Sequence, residues 1–199
     1  MSHHFVAYLY RLQYIERWSL MRKTTSENVA EHSYHTALLA HLLGNIAKHV
    51  FGRGVDPDKA AAYALFHDAT EVITGDIPTP VKHHNPELLG NFRRIEQLAA
   101  DRLLSTVPVE LQDVYRAMLS REAESPELAK LVKAADVLDA YLKCVQEMSA
   151  GNREFATARR QMEERLRALD MPEVVWFLDK LAPSFEKTID ELSEDIDNG

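Results

Sequence analysis

His67 and Asp68 stand side by side at the end of the apolar run Ala60–Phe66, and Glu71 follows within one helical turn. An imidazole and a carboxylate together suit a divalent ion, and a further carboxylate close by can move protons. In a bland setting, His67 would be a core histidine and Asp68 and Glu71 solvated acids. The apolar approach argues against that, because a buried carboxylate needs a compensating partner. Two further residues complete a set. His32 lies in NVAEHSYHTALLAHLL, on a helix whose other face is apolar, and Asp136 sits among Leu131, Val132, Ala134, Ala135 and Val137, a strange place for an unpaired acid. His32, His67, Asp68 and Asp136 form a two-imidazole, two-carboxylate set suited to Mn, Co, Fe or Zn. On an octahedral ion such a set leaves positions for water and substrate.

These residues lie far apart in the chain, so helices must bring them together. Asp56-Pro57, Asn85-Pro86 and Ser125-Pro126 each pair a capping side chain with a proline suited to a first helical turn. Helices are therefore predicted to start at these three sites. The first is expected to run to about Ile73, the second to about Val107 and the third to about Ala150. An earlier helix is expected from about Asn28 to Val50, and later ones over roughly 153–169, 172–181 and 185–193. The stretch TGDIPTPVKHHNP, with three prolines and a glycine, reads as a non-helical loop; a loop of that length in a compact domain is often functional. No segment alternates with period two. The expected fold is all-α, a single domain over residues 1–199 with its metal-binding core at about 28–145.

Composition narrows the function. The chain has 199 residues, enough for one real core, and a net charge of −8 from 23 Lys+Arg against 31 Asp+Glu. That balance argues against a general nucleic-acid or anionic-membrane binder. It leaves room for a small phosphorylated ligand held by a few local cations. One cysteine, Cys144, rules out an internal disulfide and a cysteine-based zinc site. The N-terminal segment has no signal-peptide pattern and no run suits a membrane span, so a cytoplasmic protein is expected.

The order His32, His67-Asp68, Asp136 resembles the signature of the HD-domain metal-dependent phosphohydrolases. Longer blocks, Arg17-Trp18-x-Leu20-Met21-Arg22, ENVAEHS (27–33), HDATEVITGDIPTPVK (67–82), Ile95-Glu96, ADVLDAYLKC (135–144) and AGNREF (150–155), resemble the bacterial 5′-deoxynucleotidases of the YfbR type. The resemblance implies one divalent ion (Co, Mn, Zn, Fe or Cu) held by His32, His67, Asp68 and Asp136. His32 and Asp136 would also border the substrate. It implies that Glu71 works on the attacking water or leaving oxygen, that Arg17 orients the phosphate, and that Trp18 walls the sugar against a 2′-hydroxyl. Asp76, Ile77, Pro78 and Thr79 would line the nucleotide site. The implied reaction converts a 2′-deoxyribonucleoside 5′-monophosphate to deoxynucleoside and phosphate, and a homodimer is implied as well.

Two other readings stand beside this one: an HD phosphohydrolase for a different nucleotide, and a non-catalytic helical module stabilised by its metal. The cations of the site segments, Arg17, Arg22, Lys23 and Lys82, suit a monophosphate better than a polyphosphate. The remaining residues read as ordinary. His35 is expected to be supporting, and Asp139 is either a supporting acid or a surface one. His83, His84, Glu122, Glu124 and the acidic tail are expected to be solvated, and Cys144 to be a buried, inert thiol.

Overall fold

The structure, a computed structural model, describes residues 3–82, 84–120 and 125–197. The chain is helical: α1 (Phe5–Leu9), α2 (Val29–His49), α3 (Pro57–Phe66), α4 (Glu71–Thr74), α5 (Thr79–Lys82), α6 (Pro86–Leu104), α7 (Gln112–Leu119), α8 (Pro126–Ser149), α9 (Ala156–Ala168), α10 (Pro172–Lys180) and α11 (Ile189–Asp197). Among the described residues there is no strand, only one antiparallel bridge between Glu16 and Asn28. No described helix is long and apolar enough to cross a membrane.

The three cap-then-proline starts are where the sequence puts them. Asp56, Asn85 and Ser125 accept from the backbone N–H of Lys59, Leu88 and Leu128. At α2 the cap is reciprocal: Asn28 accepts from Glu31 N–H, and the Glu31 carboxylate accepts from Asn28 N–H. Glu31, the neighbour of His32, is thereby spent on the helix start.

Three expectations need correction. The helix opened by Pro57 does not reach Ile73. It stops at Phe66, and residues 67–70 close as tight turns, with His67 N–H bonded to Ala64 O and Ala69 N–H to Phe66 O. The turn is gripped from two sides. Tyr63 and Ala64 enter the main core of α2, α3, α8 and α10, whereas Ala69 and the partly buried Phe66 pack in a second core with Phe5, Leu103, Leu119 and Tyr115. The proline-rich loop is not wholly irregular, since it holds the single turn α5. Lastly, the expected helix 185–193 is two elements, because Thr188 and Glu191 make a fresh reciprocal cap that starts α11. The segments forming α1 and α7 carry no capping signal and were not anticipated. His83, Glu122 and Glu124 lie outside the described residues.

The segment between Ile15 and Asn28, which carries Arg17 and Trp18, is tied down at both ends. Arg17 N–H bonds Glu27 O at 2.9 Å and Val29 N–H bonds Ile15 O at 3.0 Å. Its far end is clamped by the buried Glu147 carboxylate, which accepts from Thr24 N–H, Thr24 Oγ1, Asn152 Nδ2 and Lys143 Nζ at 2.7–2.8 Å. These bonds hold Glu147 well below the usual carboxylate range despite its burial.

α2 and α3 run antiparallel and touch most closely where Gly44 meets Pro57. A Cβ at Gly44 would stand 2.9 Å from Pro57 Cα. His32 and His67 lie at the opposite ends of these helices, about 18 Å and 15 Å along at 1.5 Å per residue. Gly44→Ala is expected to cost about 2–3 kcal/mol in overpacking, offset by about 1 kcal/mol of helix propensity, a net loss of about 1–2 kcal/mol. The melting temperature should fall by about 2–8 °C. A calorimetric scan at or above the wild-type midpoint would mean the two helices are not in close register here.

Candidate active site

The turn after α3 and the start of α2 bring two imidazoles together. His32 Nε2 and His67 Nε2 are 3.2 Å apart. Each ring is oriented by a bond at its other nitrogen: His32 Nδ1–H donates to Asp139 Oδ2 at 2.6 Å, and His67 Nδ1–H donates to the carbonyl of Ala64 at 2.7 Å. A carbonyl and a carboxylate only accept, so each Nδ1 carries a proton and the two Nε2 atoms face each other, able to share a cation or a proton between them. Carboxylates close in from two more directions. Asp68 Oδ2 is 3.1 Å from His67 Nε2 and 3.4 Å from His32 Nε2, and Asp136 Oδ1 is 3.5 Å from His32 Nε2. Donor atoms about 3.0–3.5 Å apart are what ligands about 2.0–2.2 Å from one ion require. His32, His67 and Asp68 therefore have the spacing a divalent cation requires, with Asp136 Oδ1 approaching from the side of His32. A proton is the alternative occupant. Burial and the Arg17 charge pull the His32 imidazole down, yet Asp136, Asp139 and Asp68 hold it well above the usual histidine range.

Asp136 is not the unpaired acid that its neighbours suggest. Its Oδ2 takes Lys133 Nζ at 2.8 Å, which leaves Oδ1 for the cluster. Burial would raise the Asp136 carboxyl, but His32 and Lys133 hold it well below the usual range. Asp68 is likewise held low, by His67 and His32 against its burial.

Glu71 lies one turn further on. It is buried, and its Oε2 has no hydrogen-bond partner. Oε1 is 3.7 Å from Lys82 Nζ, which also stands 3.6 Å from Glu96. Burial first, then the Asp68 and Asp76 carboxylates, push Glu71 up to about 9, against the pull of Lys82 and Arg17. A carboxyl so placed can hold a proton at neutral pH.

Arg17 and Trp18 stand on the other side of His32. Arg17 Nη1 donates to Glu27 Oε1 at 2.6 Å and to Asp139 Oδ2 at 3.4 Å, and Lys23 Nζ fixes the Arg17 carbonyl at 2.7 Å. The Trp18 backbone is left-handed, with φ of 56°. For a bulky residue that costs about 1–3 kcal/mol and persists only where the surroundings impose it. Here the indole N–H donates to Glu27 Oε2 at 3.0 Å, and the ring lies 5.3 Å from Phe155. A cavity of about 610 Å³ opens between Arg17, Trp18, Asp76, Pro78 and Asp136, with α9 as its outer wall. Ile77 is half-buried and does not line it, and the Thr79 side chain lies outside the described residues.

Of the supporting residues, Asp139 is buried beneath His32, and His35 is 3.5 Å from its other oxygen. Glu27 was not singled out from the sequence at all. A lone acid two residues before a helix carries no local signal, although the capping pattern at Asn28 shows that Glu27 lies just outside the helix. Arg22 is used on the surface, paired with Glu154. Cys144 is buried, which pushes its thiol up to about 12.

Comparison with known proteins identifies the family. A model of the YfbR-like 5′-deoxynucleotidase family matches residues 4–185. The 5′-deoxynucleotidase of Vibrio vulnificus is 45% identical over 190 residues, covering 96% of this chain and 98% of that one. Among solved structures, an HD-domain phosphohydrolase from Listeria innocua superposes with a TM-score of 0.79 at 26% identity, over 92% of this chain and 88% of that one. The HD phosphohydrolase of cyanophage S-2L, bound to dA and one catalytic Zn²⁺ ion, has the same fold, with a TM-score of 0.61 at 22% identity over 89% of this chain and 96% of that one. Matched along nearly its whole length, the chain belongs to the YfbR-like 5′-deoxynucleotidase family.

Proposed function

We propose that the chain hydrolyses 2′-deoxyribonucleoside 5′-monophosphates to deoxynucleoside and phosphate at one divalent ion held by His32, His67, Asp68 and Asp136. As a 5′-deoxynucleotidase it is a phosphoric monoester hydrolase. The observation that carries the assignment of the ion is the 3.2 Å approach of the two Nε2 atoms, each ring fixed by its Nδ1 bond. Donor type alone admits Mn, Co, Fe, Zn or Cu. Once bound, a divalent ion lowers the pKa of a water and neutralises phosphate oxygens.

The protein's own groups do the rest. Arg17 keeps one guanidinium nitrogen on Glu27 and Asp139 and turns the remainder of its fork to the phosphate. Glu71 exchanges a proton with the attacking water or with the leaving O5′, so that the P–O5′ bond breaks as a water oxygen bonds to phosphorus. Trp18 presents a dry indole wall at the sugar, where a 2′-hydroxyl would find neither room nor partner. Asp76 and Pro78 border the nucleotide, with Ile77 and Thr79 completing that stretch. His32 and Asp136 border it from the side of the ion. The chain works as a single domain over residues 1–199, in the cytoplasm, as a homodimer, with no nucleic-acid or membrane partner.

Metal-stripped protein should release phosphate from dAMP only after Co²⁺ or Mn²⁺ is restored, and should release far less from AMP. Equal release from both would discard the sugar wall, and release without metal would discard the ion. Glu71→Gln should bind Mn²⁺ as wild type does, yet lose about 10²–10⁴-fold in kcat; a wild-type kcat would remove Glu71 from the mechanism. Asp139→Asn frees His32 to adopt either tautomer, and metal affinity should fall about 10–100-fold in a chelator-competition titration. Unchanged affinity would show that the Nδ1 bond does not orient the ring.

A further inference from the structure

Glu27 is buried at 6% exposure and divides its two oxygens between the two groups assigned to substrate recognition. Oε1 takes Arg17 Nη1 at 2.6 Å, and Oε2 takes the Trp18 indole N–H at 3.0 Å. The Arg17 guanidinium continues to Asp139, and Asp139 holds His32 Nδ1. A chain of charge-assisted bonds thus runs from the indole through Glu27, Arg17 and Asp139 to an imidazole of the metal cluster. Glu27, His32 and Asp139 bring three donor atoms within 4.8 Å of one another, as a cation site would. Here the cation is the Arg17 guanidinium, already in place.

We infer that Glu27 is a positioning residue that sets sugar discrimination, holding the Trp18 indole against the 2′ position and Arg17 toward the phosphate with one carboxylate. The inference rests on the roles given above to Trp18 and Arg17, and adds what makes them act together.

The argument is geometric. The Trp18 backbone is left-handed, a conformation a tryptophan does not hold unaided. The turn that follows is closed by Met21 N–H on Trp18 O at 3.1 Å, which fixes the main chain but leaves the ring free about its side-chain torsions. Phe155 meets one side of the ring at a tilt of 57°, an apolar contact that tolerates sliding. The bond to Glu27 is the directional restraint on the indole. The Glu27 main chain is in turn held, because its carbonyl accepts Arg17 N–H at 2.9 Å and the next residue but one opens α2, and its carboxylate is held by Arg17 Nη1 at 2.6 Å. A wall that is to refuse one hydroxyl must keep its position, and this carboxylate fixes it relative to the phosphate-holding cation.

The test measures kcat and KM for dAMP and AMP on the metal-loaded full chain, together with metal content and thermal midpoint. Four variants are compared. Trp18→Ala is the control for the wall itself and should lose most of the preference for dAMP. Glu27→Ala removes both bonds. Its preference, the ratio of kcat/KM for dAMP to that for AMP, should fall at least tenfold, and kcat for dAMP should fall as Arg17 loosens. Glu27→Gln keeps an oxygen that can accept the indole N–H, so the preference should largely survive while kcat for dAMP still drops. Trp18→Phe removes the same bond from the other end, and combining it with Glu27→Ala should lower the preference no further than either alone.

If Trp18→Ala loses its preference while Glu27→Ala and Trp18→Phe retain theirs, the role of Glu27 is overturned and the wall stands. If Trp18→Ala itself keeps the wild-type preference, the wall is wrong and Glu27 falls with it. Should Glu27→Ala fail to fold, Glu27→Gln and Trp18→Phe decide. Selective loss in Trp18→Phe with retention in Glu27→Gln supports the inference, and a wild-type preference in Trp18→Phe refutes it.

Discussion

Two imidazole Nε2 atoms stand 3.2 Å apart, a contact that needs a proton or a metal ion between them to be favourable. This contact has to be imposed by the fold. His32 Nδ1 is fixed by an acid from α8, and His67 Nδ1 by a carbonyl of its own helix end. The second bond is made at the point where α3 stops, at Phe66. Had the helix continued, the Ala64 carbonyl would have gone to the backbone N–H of Asp68. Breaking the helix thus orients one ligand and releases the next. The two cores on either side of the turn are what hold the break open, one through Tyr63 and Ala64, the other through Phe66 and Ala69.

The charge balance around that contact has consequences for substrate. Glu27, Asp68, Glu71, Asp76, Asp136 and Asp139 surround the cluster, against Arg17, Lys82 and Lys133. A phosphate dianion brought into such a site meets an excess of like charge. Burial and acidic neighbours push the Glu71 carboxyl up to about 9, so a proton held there would remove part of that excess. The rest would fall to a divalent cation held by the imidazoles. The same acids that attract a metal make the anionic substrate dependent on it, so ion binding and phosphate binding are coupled through simple electrostatics. It also explains why Arg17 keeps two acidic partners, since in these surroundings a guanidinium would not remain unpaired.

How much of this was legible in the sequence follows from the range of each signal. Asp56-Pro57, Asn85-Pro86 and Ser125-Pro126 are local cap chemistry, and each starts a helix where it stands. His32, His67, Asp68 and Asp136 stood out because of where they sit; the structure clusters the first three and sets Asp136 Oδ1 3.5 Å from His32. The end of α3 was not legible, because residues 67–73 have helical composition and only the second core breaks the run. Asp136 looked unpaired because its partner, Lys133, is a helical neighbour that a reading of apolar positions passes over. Asp139 could be read as a surface acid with equal reason, since its partner His32 is 107 residues away. Glu27 is the extreme case: all its importance lies in the two side chains folded back onto it.

Rejecting a hydroxyl is harder than recognising one. A soft apolar pocket discriminates against an added hydroxyl by only about 10²-fold, because the extra group can be absorbed by small displacements. Stronger refusal needs a wall that does not yield. The strained backbone at Trp18 has a physical reason in these terms. It aims a large rigid ring where a relaxed loop would not, and the cost is covered by bonds from Glu27 and Met21 and by packing on Phe155. The segment itself gains its rigidity from a distance, through the buried Glu147 carboxylate that clamps Thr24 to α8. On the proposed reading, selectivity for the sugar is a property of how firmly one loop is anchored, and that anchor lies on α8, the helix that also carries Asp136 and Asp139.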